Sequence, residues 1–186
     1  MARHPDILGR TALLVVVDVQ ERVNRAMADQ RHVARIVTLV RAFAGLGRPM
    51  LVTEQYPQGL GRTVPEIGAL VSAPPITKES FSCAGEPAFL EALASLQPAQ
   101  VLLTGIEAHV CVTQTALDLL AAGYRVHVPH DAVSSRRPVD RRQAMERLAR
   151  AGAVVTSTES ALFEMVERCG TEEFRLVSRL VKELPL

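Results

Sequence analysis

The sequence predicts an α/β protein in which a six-stranded, mostly parallel sheet lies between two layers of helices. Short apolar segments alternate along the chain with segments of helical periodicity, which is the pattern of repeated βαβ units. The apolar segments are nearly unbroken, as is typical of strands that are buried on both faces. Since 186 residues suffice for one domain with a large core, we expect a single domain over residues 1–186.

The first half of the chain contains three predicted strands. The first strand is an apolar run that Asp18 interrupts, and the long helix after it is closed by Gly47. A segment rich in proline and glycine follows the second strand and predicts a loop without regular structure. The predicted elements are strand 11–19, helix 20–46, strand 50–53, loop 54–65, short helix 64–71, a weak strand at 75–77 and helix 86–96.

The second half is organised around the segment from Gln100 to Gly123. An apolar run at 101–103 predicts a buried strand, and apolar residues then recur at helical spacing until Gly123 ends the helix. The elements predicted after it are strand 124–129, helix 138–151, strand 153–156 and one or two helices from Ser157 to Leu184. The common strand order for such a sheet is 3-2-1-4-5-6, which makes the first and fourth strands neighbours.

Composition excludes several classes of partner. The formal net charge of +1 gives no basis for a nucleic-acid or membrane partner. The three cysteines, an odd number without metal-like or disulfide-like spacing, favour a reducing compartment. The N-terminal segment has no export signal, and the apolar run of the first strand is too short to span a membrane. We therefore expect a cytoplasmic protein.

Reactive side chains follow four of the predicted strands. Asp18, Glu54, Lys78 and Cys111 each lie where a strand ends, and the carboxyl ends of parallel strands meet at one edge of the sheet. Cys111 is expected at the start of a helix, where first-turn N–H groups and the helix dipole lower a thiol pKa. The alternative is that Cys111 is a small buried hydrophobic residue.

A carboxylate, an ammonium and a thiol in one crevice predict acyl transfer to water through a covalent thioester. The carboxylate accepts the thiol proton, the ammonium stabilises negative charge, and backbone N–H groups before Cys111 hold an oxyanion. Each residue also has a structural interpretation: Asp18 as a helix cap and Lys78 as a surface lysine. Asp131 is expected only to bind backbone in a turn, and His109 to line a pocket rather than to act as the base.

Three motifs resemble the isochorismatase-like cysteine hydrolase superfamily. They are VVDVQ around Asp18, TKESFS around Lys78 and GIEAHVCV around Cys111. The resemblance covers residues 11–165, and two longer segments are most similar to the isochorismatase domain-containing subgroup. These segments are TEQYPQGLGRTVPE and GIEAHVCVTQTALDLLAAGYRVHVPHDAVSSR.

The resemblance implies a site built around a catalytic triad. Asp18 is then the general base, Lys78 the electrostatic partner and Cys111 the nucleophile, with an oxyanion hole made by the N–H groups of Glu107 and Cys111. The resemblance also implies a cis peptide bond between Ile106 and Glu107. Its implied substrate pocket consists of Gln20, Gln55, Tyr56, Phe81 and His109.

The resemblance implies a hydrolase without metal or cofactor. Nicotinamidases of the superfamily carry an aspartate–histidine metal motif after the second strand, whereas Glu54-Gln55-Tyr56 stands here without a histidine. We therefore expect a homo-oligomeric enzyme that hydrolyses a small amide or related carbonyl compound. The alternatives are hydrolysis of an enol ether by Asp18 with Cys111 as a bystander, and a binding or scaffold protein without turnover.

Overall fold

In the computed structural model, which describes residues 3–184, seven strands form one sheet between two layers of helices. The strands are β1 (Leu13–Val17), β2 (Met50–Gln55), β3 (Ile76–Lys78), β4 (Gln100–Ile106), β5 (Arg125–Pro129), β6 (Val133–Ser134) and β7 (Val154–Thr156). The predicted three-layer α/β/α class is confirmed. The ends of the expected domain, residues 1–2 and 185–186, lie outside the described residues.

The strands pair in the order β3-β2-β1-β4-β5-β7, and every pairing is parallel. The predicted order of six strands is therefore confirmed. The additional strand β6 pairs with β4 through Gly105 and Ile106. With two residues, β6 is too short to produce a recognisable sequence pattern.

Nine α-helices connect or flank the strands among the described residues. They are α1 (Glu21–Asn24), α2 (Arg31–Gly45), α3 (Pro57–Leu60), α4 (Pro65–Gly68), α5 (Pro87–Leu96), α6 (Thr113–Ala121), α7 (Pro138–Arg150), α8 (Thr158–Val166) and α9 (Glu172–Lys182). None of the helices within residues 3–184 has the length and apolarity needed to cross a membrane.

Two local predictions were wrong. The helix expected over 20–46 is split into α1 and α2, because the side chains of Asn24 and Gln30 bond to each other and Gln30 Nε2 donates to the Asn24 carbonyl at 2.8 Å. These bonds satisfy polar groups where the helical hydrogen bonds stop. The loop expected over 54–65 contains the one-turn helix α3, which begins at Pro57, a position where proline suits a helix.

The sheet has a separate apolar core on each face. Alternate residues of β1 enter the two cores, and all five of its side chains are buried. Helices α2, α8 and α9 cover one face, while α5, α6 and α7 cover the other. Burial of this apolar surface is the dominant stabilising contribution to folding.

Gly105 allows β1 and β4 to approach closely at the edge of the sheet that carries the reactive residues. It has a φ of +115°, and a Cβ atom there would clash with the backbone of Val17, lying 2.6 Å from its nitrogen. Glycine alone fits this conformation and this space. The approach brings the end of β1, and Asp18 after it, next to the chain that leads to Cys111.

Candidate active site

Asp18, Lys78 and Cys111 converge at the carboxyl edge of the sheet. Asp18 follows β1, Lys78 ends β3, and Cys111 lies in the turn between β4 and α6. Asp18 and Cys111 line a cavity of about 130 Å³, and Lys78 lies beside it in contact with Asp18. The cavity is lined by Asp18, Val23, Gln55, Leu60, Phe81, Ile106, Glu107, Val110 and Cys111.

Asp18 and Lys78 form a buried ion pair. Lys78 Nζ lies 2.7 Å from Asp18 Oδ2, and both side chains are almost fully buried. The ammonium also donates to the carbonyl oxygens of Ser80 at 2.9 Å and Phe81 at 3.1 Å. Lys78 is therefore no surface lysine, and such a pair leaves an uncompensated buried charge if either partner is removed.

The carboxylate of Asp18 is held from the opposite side by β2. Thr53 Oγ1 donates to Asp18 Oδ1 at 2.7 Å, and the Asp18 N–H donates to the Thr53 carbonyl at 3.2 Å. Asp18 has a left-handed φ of 53°, and Gln20 rather than Asp18 precedes α1 as its N-cap. The interpretation of Asp18 as a helix cap is therefore wrong.

Cys111 lies within a turn of π-helix over Ala108–Val112, which directly precedes α6. Its thiol donates to Gln55 Oε1 at 3.1 Å, and the same oxygen accepts a hydrogen bond from Lys78 Nζ at 3.3 Å. Short π-helical turns of this kind occur frequently at functional sites. Gln55 thus connects the thiol to the ammonium.

Burial raises the pKa of the Cys111 thiol above its usual value, and the negative charge of Asp18 raises it further. The positive charge of Lys78 acts in the opposite direction but does not cancel these two effects. The expectation of a lowered thiol pKa is wrong, because the thiol is buried beside a carboxylate inside a π-helical turn. Cys111 therefore holds its proton at neutral pH and needs a base to become a nucleophile.

The residues of the expected substrate pocket divide into two groups. Gln55 and Phe81 line the cavity with Cys111. Gln20 is completely buried and binds the backbone of Gln55, donating to its carbonyl at 3.0 Å and accepting from its N–H at 2.8 Å. Gln20 therefore fixes Gln55 and does not line the cavity itself.

Tyr56 and His109 lie outside the cavity, contrary to the expectation. Tyr56 adopts a left-handed conformation with a φ of 39°, and its ring lies against Gly59 with 55% of the residue exposed. His109 points out of the π-helical turn, where its Nδ1 lies 3.0 Å from Ser135 Oγ. It lines a separate open depression beside α7.

Two further acidic residues at the sheet edge have structural contacts. Glu54 accepts hydrogen bonds from the N–H of Thr63 at 2.7 Å and from its hydroxyl at 2.8 Å, which anchors the segment after β2. Asp131 accepts from the N–H and hydroxyl of Thr158 at the start of α8, so it binds backbone at a helix start instead of in a turn. Residues 3–184 contain no cluster of three or more metal-ligating side chains.

Glu107 lies directly before the π-helical turn. The peptide bond between Ile106 and Glu107 is cis, at the position that the resemblance implied. The carboxylate of Glu107 accepts hydrogen bonds from the Arg136 N–H at 3.0 Å and from its Nε at 3.1 and 3.2 Å. Sequence reasoning did not identify Arg136 or Thr53, because neither residue stands in a motif with a recognised chemical role.

Comparison with known proteins gives consistent matches. The isochorismatase domain family model matches residues 12–160. Isochorismatase domain-containing protein 2 of Bos taurus is 39% identical over 178 residues, which are 95% of this chain and 86% of that protein. The secreted isochorismatase effector Isc1 of Phytophthora sojae is 42% identical over 185 residues, covering 95% of this chain and 87% of the effector.

A solved structure of a relative superposes over nearly the whole chain. The MAR1 ribonuclease of Caenorhabditis elegans has a TM-score of 0.89 and 36% identity, and the match covers 97% of this chain and 94% of that one. The fold is thus shared over nearly the whole chain.

Proposed function

The chain belongs to the isochorismatase family, and from this membership we propose that it is a metal-independent cysteine hydrolase of small amides or related carbonyl compounds. The observation that carries the proposal is the convergence of a thiol, an ammonium and a carboxylate around one small cavity. Cys111 and Lys78 donate to the same oxygen of Gln55, and Lys78 is paired with Asp18.

Asp18 is the general base of the first step. The proton of the Cys111 thiol passes to Asp18 Oδ2, and the sulfur attacks the substrate carbonyl carbon. The raised pKa of the thiol supports this assignment, because sulfur becomes nucleophilic here only when its proton is removed. The new C–S bond leaves a tetrahedral intermediate with its negative charge on the former carbonyl oxygen.

Collapse of the intermediate completes the acylation. The N–H groups of Glu107 and Cys111 hold the oxyanion in the proposal, while Asp18 returns its proton to the leaving nitrogen. The C–N bond breaks, the amine departs and a thioester remains on Cys111. A water molecule then gives a proton to Asp18, and its oxygen attacks the thioester carbon. The C–S bond breaks, the acid is released, and the sulfur takes the proton back from Asp18.

Lys78 contributes fixed positive charge. Its ammonium lies 2.7 Å from Asp18 Oδ2 and offsets the buried negative charge of the carboxylate. The two backbone carbonyls that accept from Lys78 hold the ammonium in place. The charge is therefore preorganised before substrate binds.

The size of the cavity limits the substrate. A volume of about 130 Å³ is well below the roughly 300–1,000 Å³ of pockets for drug-sized ligands. Apolar side chains from Val23, Leu60 and Val110 form part of its wall. This supports a substrate whose reacting end consists of a carbonyl group and a few further atoms.

The test is a panel of small amides assayed with the wild type, Cys111→Ala and Cys111→Ser. We expect loss of turnover in both variants with an unchanged unfolding midpoint, and a covalent acyl adduct on Cys111 of the wild type by mass spectrometry. An RNA oligonucleotide belongs in the panel because one solved relative is named a ribonuclease. We expect no RNA cleavage, and full amide turnover by Cys111→Ala would refute the proposal.

A second candidate is hydrolysis of an enol ether, which is favoured by the name of the Phytophthora sojae relative. This reaction would use Asp18 and leave Cys111 as a bystander. Turnover of a vinyl ether by Cys111→Ala, without a covalent adduct in the wild type, would support it.

We further propose a cytoplasmic homo-oligomer. The free cysteines Cys83 and Cys111 suit a reducing compartment, although one relative is named a secreted effector. Tyr56 and Phe81 are each more than half exposed, and a second copy that covered them would bury two aromatic side chains. Sedimentation of the purified chain measures the oligomeric state.

A further inference from the structure

We propose that Thr53 is a positioning residue that orients Asp18 so that one carboxylate oxygen remains available to the Cys111 thiol. This inference rests on the proposed function, because it assigns a positioning residue to the proposed general base. Thr53 lies on β2, next to β1 in the sheet, and is completely buried.

Thr53 binds Asp18 twice. Its hydroxyl donates to Asp18 Oδ1 at 2.7 Å, and its carbonyl accepts from the Asp18 N–H at 3.2 Å. The backbone bond fixes the position of the residue, while the hydroxyl fixes the rotation of the carboxylate. Asp18 needs this support because its φ of 53° is unusual for a residue other than glycine.

The two oxygens of Asp18 consequently differ. Oδ1 is occupied by the Thr53 hydroxyl, whereas Oδ2 lies beside Lys78 Nζ and has no hydrogen bond of good geometry from any described residue. Oδ2 is the oxygen that accepts the thiol proton in the proposed mechanism. Thr53 therefore determines which carboxylate oxygen of Asp18 is left to accept the proton of the Cys111 thiol.

Cys83 directs the Thr53 hydroxyl towards Asp18. Cys83 Sγ lies 3.8 Å from Thr53 Oγ1 as a donor, and the Cys83 N–H donates to Thr115 Oγ1 at 2.9 Å. Burial raises the pKa of Cys83 to about 11, so its thiol keeps the proton that it donates. Because the Cys83 thiol donates to the oxygen of the Thr53 hydroxyl, the proton of that hydroxyl is directed to Asp18.

The same sheet contains a matched control. Thr104 on β4 is also completely buried, and its hydroxyl donates only to the backbone carbonyl of Val15, at 3.1 Å. Thr104→Val removes a hydroxyl of the same kind from the same sheet without touching Asp18. A difference between Thr53→Val and Thr104→Val therefore isolates the contact with the carboxylate.

The experiment measures kcat and KM for Thr53→Val, Thr53→Ser and Thr104→Val on an amide that the wild type hydrolyses. The titratable groups around Asp18 include Lys78 from β3, Cys111 from the π-helical turn, Cys83 from the turn before α5 and Glu107, which lines the same cavity. None of them is altered by these substitutions.

For Thr53→Val we expect kcat to fall about tenfold to a hundredfold with KM nearly unchanged, the effect of losing one hydrogen bond to a charged group. Thr53→Ser restores kcat, and Thr104→Val behaves as the wild type.

Equal effects of Thr53→Val and Thr104→Val on kcat, or a kcat that Thr53→Ser does not restore, would overturn the inference. If Thr53→Val fails to fold, Thr53→Ala is measured in the same way; failure of both to fold would assign Thr53 to stability and also overturn it. The proposed function has a separate test, since full turnover by Cys111→Ala would refute that function whatever Thr53 does.

Discussion

Cys111 and Cys83 are two buried thiols near the carboxylate of Asp18. The charge of Asp18 raises the pKa of both thiols, and the charge of Lys78 opposes it in both cases. Cys111 lines the cavity and donates to a side chain there, whereas Cys83 is sealed in the core behind Thr53. Access to the cavity, rather than residue type or local charge, is therefore what distinguishes the proposed nucleophile from the thiol in the core.

Removing the charge of Asp18, which acts on both thiols, is the strongest test of the comparison between Cys111 and Cys83. Asp18→Asn should lower turnover about a thousandfold, within the range of general-base effects. The same change should lower the pKa of the Cys111 thiol, because the Asp18 charge raises it, and iodoacetamide should then alkylate Cys111 at least about tenfold faster at pH 7.5. Steady-state kinetics and mass spectrometry of the labelled peptide measure the two effects.

Glu54→Gln is the matched control for Asp18→Asn, since it neutralises another buried carboxylate at the same sheet edge. It should leave the alkylation rate of Cys111 close to that of the wild type. Slower alkylation of Cys111 in Asp18→Asn would show that the carboxylate does not hold the proton on sulfur.

Labelling of the folded wild type should separate the two thiols by about a hundredfold. Iodoacetamide reaches Cys111 through the cavity, but Cys83 reacts only after local opening of the core. The exposed Cys169 serves as an internal reference for a freely accessible thiol. The rate at Cys111 should rise with pH above neutrality, since its raised pKa keeps the thiolate fraction small at lower pH.

Mass spectrometry after brief labelling gives the three rates in one sample. Modification of Cys83 at the rate of Cys111 would mean that iodoacetamide reaches the core around Cys83 as readily as the cavity. The comparison between the two thiols would then fail.

The smallest expected effect is on the free energy of unfolding, where replacement of Cys83 should matter more than replacement of Cys111. Cys83→Ala should reduce the free energy of unfolding by about 1 kcal/mol, because Cys83 is completely buried and its sulfur fills core volume. Cys111→Ala should change it by less than about 0.5 kcal/mol, since its sulfur borders empty space. Urea denaturation of both variants measures the difference, and a larger loss in Cys111→Ala would contradict it.

Much of the fold was predictable because burial on both faces leaves a clear mark on the sequence. The apolar runs of β1 and β4 predicted the centre of the sheet, and the strand order followed from the usual topology. Strand β6 was missed because two residues cannot carry a period. The break between α1 and α2 was missed because it depends on side-chain bonds between Asn24 and Gln30, which apolar periodicity does not reveal.

The position of the candidate site was predictable for the same topological reason, but its details were not. Asp18, Lys78 and Cys111 each follow a parallel strand, so their convergence required only the strand order. The directions of Tyr56 and His109 depend on a left-handed residue and a π-helical turn, neither of which has a reliable sequence pattern. Thr53 was missed because threonine is common in strands for its branched shape alone.

The contact between Gly105 and Val17 has a practical consequence for redesign of this enzyme. Any side chain at position 105 would push β1 aside and carry Asp18 with it, so a library that varies this position should return inactive or unfolded proteins. Substitutions intended to change the substrate should instead be made at side chains that line the cavity, such as Leu60, Phe81 and Val110.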